Sequence, residues 1–145
     1  MAKTYRLGRA NRLTNLLFRA LTRLGLGARY RHILTVPGRR TGRLYATPVD
    51  VIELDGSRYL VAGYGPAGWV RNARAAGEVT LSRGRRTTRF RVVEAEAEEA
   101  IPVLRQYITV IRVTRAYFDA SPNSPDDAVA AELRRHAVFR LVPAP

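Results

Sequence analysis

The sequence contains no cysteine, two histidines and a single tryptophan. Without cysteine there is no disulfide, no thiol nucleophile and no thiolate metal ligand. His32 and His136 are read as having neither a second His nor a carboxylate at ligand spacing, so a zinc centre or a Ser-His-Asp arrangement has little to draw on. Acidic residues are missing from the first 49 positions, which carry 11 Lys and Arg, whereas residues 50–145 carry 14 basic and 12 acidic residues. The net charge of +13 is therefore an N-terminal property. Such a segment suits an anionic partner, whether a lipid surface, a nucleic acid or a cofactor bearing phosphate and carboxylates; a merely solvated face is an equal reading. Long apolar runs are absent too: Leu16, Leu17 and Phe18 are cut by Arg19, far short of the ~20 residues of a membrane span. The expectation is a cytoplasmic protein with scope for peripheral contact at the inner face of an anionic membrane.

What is present fits one domain over residues 1–145, long enough to bury a single core. Leu13, Leu16, Leu17, Ala20, Leu21 and Leu24 recur at helical spacing beside Arg12, Arg19 and Arg23, which predicts a basic amphipathic helix within residues 1–30. Strand-like runs follow at 32–36, 44–54 and 58–64, the last two joined by Asp55-Gly56, a strong hairpin signal. Runs at 79–82 and 87–93 flank a second tight turn. Pro48 lies inside the second strand and should mark an edge or bulge. Connections this short force antiparallel pairing. A long helix is expected over 96–118, a short one over 126–135 with acids in its first turn, and a closing strand over 137–142.

Two motifs invite chemistry. Gly63-Tyr64-Gly65-Pro66-Ala67-Gly68 has the glycines of a dinucleotide-binding turn, but the helix after it has room for about two turns and no acid follows to hold a ribose. Those glycines instead suit a close approach of backbone to something flat. The loop Gly38-Arg39-Arg40-Thr41-Gly42-Arg43 combines three guanidiniums, a hydroxyl and glycines whose neighbouring amides can turn outward as a nest, which suits an anion; an ordinary polar hairpin turn is the other reading.

The ordered set Leu34-Thr35-Val36-Pro37-Gly38-Arg39-Arg40-Thr41-Gly42, Thr47-Pro48, Tyr59-Leu60-Val61-Ala62 and Trp69-Val70-Arg71-Asn72 resembles the deazaflavin-dependent nitroreductase and quinone reductase family. The resemblance spans about His32 to Glu94 and implies an α+β, mainly β fold: a split β-barrel of antiparallel strands, similar to FMN-binding barrels, with an N-terminal amphipathic helix and a long late helix. It implies deazaflavin coenzyme F-420 as cofactor in preference to FMN, and hydride transfer to a small organic acceptor such as a quinone, nitro or enone compound. By position, Arg39, Arg40 and Thr41 would meet the anionic tail of the coenzyme, and Tyr45, Thr47, Pro48 and Val49 would line the approach of the second strand. Ala62, Gly63, Tyr64 and Gly65 would lie along the ring, with Trp69 and Asn72 fixing the next helix; plain packing for Trp69 and a capping role for Asn72 are equal readings. Tyr64 and Tyr107 are the candidates for donating to the acceptor oxygen, and Tyr107 and Tyr117, ten residues apart, should not both reach the pocket.

The chain departs from the family in having the compact Tyr64-Gly65-Pro66-Ala67-Gly68 where a longer loop carries a lysine, so either Arg71 or Arg74 supplies that charge or the affinity for the cofactor is reduced. Two other readings stay open. One is a non-catalytic barrel holding a cofactor, haem or lipid, and the other is a basic membrane-surface module. Nucleic acid is not expected, because the aromatics form no stacking platform. The chain is expected to act as a monomer or homodimer.

Overall fold

The computed structural model describes residues 30–145, together with Ala2, Leu16 and Leu17. The predicted basic helix within residues 1–30 lies almost wholly outside the described residues. Six strands form a closed antiparallel barrel: β1 (Arg31–Pro37), β2 (Leu44–Leu54), β3 (Ser57–Val61), β4 (Glu78–Arg83), β5 (Arg86–Glu94) and β6 (Val138–Pro143). Their order around the barrel is β1-β2-β3-β6-β5-β4. Helix α1 (Gly68–Ala76) links β3 to β4, and α2 (Ala97–Val110), a 3-10 turn (Arg115–Tyr117), α3 (Asp126–Ala131) and a second 3-10 turn (Glu132–Arg134) link β5 to β6.

Local chemistry explains the hairpins. Asp55 and Gly56 both have positive φ (50° and 80°), the backbone of a two-residue turn whose twist matches the flanking strands. Alternation along the strands then divides the apolar residues between two cores. Leu34, Val36, Val49, Val51, Leu60, Leu81, Phe90 and Phe139 belong to one, which fills the barrel. Ile52, Tyr59, Val61 and Val138 belong to the other, with Val103, Leu104, Tyr107 and Ile108 of α2 and Val129 of α3.

The late helix is shorter than the expected span of 96–118. It stops at Val110, and Ile111 is extended (φ −96°, ψ 94°). Thr109, Val110, Ile111, Val113 and Thr114 are all β-branched, a composition that weakens helix propagation. Arg115 reinforces the stop by donating from Nε to the Ile108 carbonyl and from Nη2 to that of Thr109, two of the acceptors that a helix end leaves without partners. β3 also ends early, at Val61, because the chain turns: the Gly63 amide donates to the Val61 carbonyl and that of Gly65 to Ala62.

That early turn leaves β2 paired unequally. Toward β1 it is bonded along its length, from Leu44 to Asp50 and on to a Val51 amide bond with the Tyr30 carbonyl; toward β3 the register begins only at Val51. Since Val51 directs its amide to the β1 side, alternation sends the backbone groups of Thr47 and Val49 the same way, turns Asp50 toward the end of β3, and sends those of Ala46 and Pro48 toward the gap beyond it. Pro48 thus stands on an edge, as expected, at a position whose missing N–H takes nothing from the β1 ladder.

This assignment of sides predicts unequal effects at adjacent positions. Thr47→Pro, which removes a ladder bond, should destabilise the protein by about 2 kcal/mol or more, and Pro48→Ala by less than about 1 kcal/mol. Urea unfolding of both variants checks it, and equal losses would show that the sides are assigned wrongly.

Candidate functional site

The antiparallel topology brings the Gly38–Arg43 loop, the start of β2, the β3–α1 loop and α1 to one end of the barrel. In the basic loop the Gly38 amide donates to the Arg43 carbonyl (2.7 Å) and the Gly42 amide to that of Gly38 (2.9 Å), with Gly42 at φ 76°. The Arg43 amide donates to Thr41 Oγ1, and the Arg39 amide and Nη1 both donate to Asn72 Oδ1, at 3.1 and 2.9 Å. Four of the loop's amides, those of Gly38, Arg39, Gly42 and Arg43, are thus engaged within the protein, which leaves only the successive amides of Arg40 and Thr41 for an outward-facing nest. What the loop presents is side chains: Arg39, Arg40, Thr41 and Arg43 are exposed. Tyr45 packs its ring against Gly38, where a Cβ would come within 2.7 Å of Cε2, and the Arg43 guanidinium lies 5.7 Å above that ring.

Asn72 is 6% exposed and its carbonyl oxygen holds Arg39, so it acts as a brace between α1 and the basic loop rather than as a cap. Trp69 is half-buried against the barrel core, its ring 6.0 Å from Phe139. Of the two arginines on α1 that could replace the missing lysine, Arg74 grips Glu94 through two bonds of 2.8 and 2.6 Å, and that guanidinium holds the Glu94 carboxyl below its ordinary pKa. Arg71 is exposed.

Across the gap from the free side of β2 runs the β3–α1 loop. Ala62 and Gly63 are buried, and a Cβ at Gly63 would sit 1.8 Å from the Tyr107 hydroxyl, so only glycine lets the loop lie on that phenol. Tyr64 is 36% exposed and meets Tyr117 edge-on with ring centroids 5.2 Å apart. Tyr107 is 2% exposed, its hydroxyl bonds Thr114, and burial, aided by the charge of Asp50, drives its pKa far up. The structure therefore corrects the choice of tyrosines: Tyr107 is a core residue under the loop, and Tyr64 with Tyr117 borders the opening. Tyr107 and Tyr117 do lie apart, but not through helical phase: the helix ends at Val110 and Tyr117 belongs to the separate 3-10 turn.

Three residues escaped the sequence reading. Asp50, at the end of the free edge, pairs with Arg31 at 3.3 Å in a largely buried setting, and burial raises its pKa against the opposing effect of Arg31. His136 is buried at the start of β6, and Glu132, four residues before it, is the carboxylate partner that the spacing argument passed over. The helical interval was a usable signal for Glu132; Asp50 and Arg31, 19 residues apart, offered none.

The closed antiparallel barrel with an edge left open beside the β3–α1 loop defines a split-barrel protein. Among solved structures the chain resembles one described as a domain-swapped dimer (17% identity, 92% of this chain and 99% of that one, TM-score 0.59). It also resembles an F420-H2 dependent reductase (18%, 78% and 94%, 0.55) and HutZ, the haem storage protein from Vibrio cholerae (14%, 90% and 87%, 0.58). At such identities these likenesses show the fold. A search of curated proteins finds no match. Residues 14–123 match the family described as F420H2-dependent quinone reductase, and the chain belongs to that family of deazaflavin-dependent reductases.

The Gly63 contact yields a prediction about the site's floor. Gly63→Ala should cost about 1–3 kcal/mol from overpacking, and less in a Tyr107→Phe background, where the nearest phenol atom recedes from 1.8 to 2.7 Å. Thermal unfolding of the two pairs checks this, and the same loss in both backgrounds would mean that the hydroxyl is not the obstacle.

Proposed function

We propose that the protein binds reduced deazaflavin coenzyme in the split between β2 and the β3–α1 loop and reduces a small organic acceptor, a quinone, nitro or enone compound, beside Tyr64. The observation that carries this reading is the backbone edge of β2 at Ala46 and Pro48, which has no strand partner on the β3 side among the described residues and faces a glycine-bearing loop at the same end as the basic loop. A flat, polar-edged ring fits a strand edge that still offers carbonyls and amides, and its anionic tail fits exposed guanidiniums. The coenzyme, when bound, supplies the hydride.

The chain's own contribution is placement. Arg40 and Arg43 are the exposed cations of the clamp, Arg43 lying over the Tyr45 ring; Arg39, held by Asn72, fixes its direction, and Thr41 shapes the turn. Tyr45, Thr47, Pro48 and Val49 hold the strand side of the split, Val49 from within the core. Ala62, Gly63, Tyr64 and Gly65 form the facing wall, with Trp69 anchoring α1 below them. With the coenzyme held between these walls, orientation and a fixed field would act on the bound pair. Tyr64 is the residue that would donate a hydrogen bond to the acceptor oxygen as charge develops there, a reading supported by its exposure at the wall, whereas Tyr107 is buried beneath Gly63.

Fluorescence titration with oxidised deazaflavin tests the reading, with FMN as the comparison. Tight deazaflavin binding that weakens about tenfold or more in Arg39→Ala plus Arg40→Ala is expected, the scale of one or two lost charge-assisted hydrogen bonds. No binding of either flavin would reject the reductase assignment and shift it to a haem or lipid carrier. In steady-state reduction of a soluble quinone, Tyr64→Phe should lower kcat about 100-fold, and unchanged kcat would remove the proton-donor role.

A further inference from the structure

Behind the wall that carries Tyr64, one side chain touches both tyrosine-bearing segments. The His136 ring is 1% exposed. Its Nδ1 lies 2.8 Å from the Ala62 carbonyl oxygen, at the turn out of β3, and its Nε2 lies 2.9 Å from the carbonyl oxygen of Tyr117. Phe118 stacks on the ring at 3.7 Å with planes 14° apart, fixing its orientation. Ala62 is held from its other side as well, its amide donating to the Ala137 carbonyl. The two tyrosines, with ring centroids 5.2 Å apart, are thus linked by a buried ring bonded two positions before Tyr64 on one side and to the Tyr117 backbone on the other.

We propose that His136 is the positioning residue of the split, a buried crosspiece that sets the spacing of Tyr64 and Tyr117 with one hydrogen bond when the ring is neutral and two when it is protonated. Carbonyl oxygens only accept, so a neutral imidazole, with one N–H, satisfies either Ala62 or Tyr117, and the imidazolium satisfies both. The structure provides for the charged form. Glu132 is 3% exposed; its Oε1 accepts the amides of Asp119 (2.7 Å) and Ala120 (2.8 Å). Among the described residues its Oε2 has no hydrogen-bond partner, and it faces two nitrogens, Arg135 Nη2 at 3.6 Å and His136 Nε2 at 3.5 Å. A buried carboxylate oxygen with no donor of its own is costly unless a positive charge stands beside it.

Four elements bear on the ring. Its own turn brings Glu132 and Arg135, the segment after the first 3-10 turn brings Asp119, which pairs with Arg135, and that 3-10 turn brings Tyr117. β3 contributes the Ala62 carbonyl, and α2 brings Tyr107 against Phe118. Burial pushes the imidazole pKa below 6.5 while the two carbonyls and Glu132 oppose it, so the second bond forms on the acid side. The role of this crosspiece in turnover rests on the reductase reading of the split; the crosspiece itself does not.

The test uses full-length protein containing 3-fluorotyrosine, with ring nitrogens followed by long-range ¹H–¹⁵N NMR across the pH range and no coenzyme present. The His136 ring should pass from one N–H to two on acidification, with a midpoint below 6.5, and the ¹⁹F signals of Tyr64 and Tyr117 should move with the same midpoint. In His136→Gln that shared step should vanish. Tyrosine signals that ignore the ring's titration, or that keep the step in His136→Gln, would overturn the proposal. Should the variant fail to fold, the wild-type titration decides alone. In quinone reduction, the pH profile of kcat should lose the same step in His136→Gln while coenzyme affinity changes less than about threefold. A shared NMR step in a protein that binds no deazaflavin would uphold the crosspiece and reject only the reductase assignment.

Discussion

The unequal pairing of β2 governs the rest of the molecule. A closed barrel ordinarily satisfies every strand on both sides, yet here β3 stops at Val61 while β2 extends to Leu44, so one stretch of strand is bonded on one side only among the described residues. The opening is maintained, not accidental. Gly63 lies against the Tyr107 hydroxyl, Ala62 is held by Ala137 and by His136, and these contacts bend the chain away from β2 at the point where a longer β3 would have closed the gap.

Around that opening the protein separates two tasks. Charge is gathered at the rim, on exposed side chains of the Gly38–Arg43 loop, four of whose amides are bonded within the protein. Order is supplied from beneath. Asn72 braces Arg39 from α1, Arg74 is tied to Glu94, and Trp69 presses α1 onto the barrel. A family of reductases in which the coenzyme performs the redox chemistry asks little acid or base of its protein, and this rim offers tyrosine hydroxyls rather than histidines or carboxylates.

How much of this could be read in the sequence follows from the range of each interaction. The bounds of β2, the Asp55-Gly56 hairpin and the edge position of Pro48 were legible because neighbouring residues dictate them. The end of α2 was not, since it depends on Arg115 folding back onto carbonyls six and seven residues earlier. Position alone nominated Tyr107 for catalysis, and only the packing of Gly63 against it shows which way that phenol faces. Asn72 was recognised as a site residue without its partner, because Arg39 is 33 residues away in sequence. His136 was dismissed for lack of metal ligands, when its partners are the backbone carbonyls of residues 74 and 19 positions distant.

Pro48 has a consequence beyond the site. An open strand edge is a template on which another chain can add a strand, the usual route from a native sheet to an aggregate. Continuing such a ladder along this edge would require donors in succession from Ala46 and Pro48, and the second one does not exist. The same imide nitrogen that leaves the β1 pairing intact therefore makes the edge unsuitable for another strand, so the barrel can keep an opening without inviting a second copy to seal it.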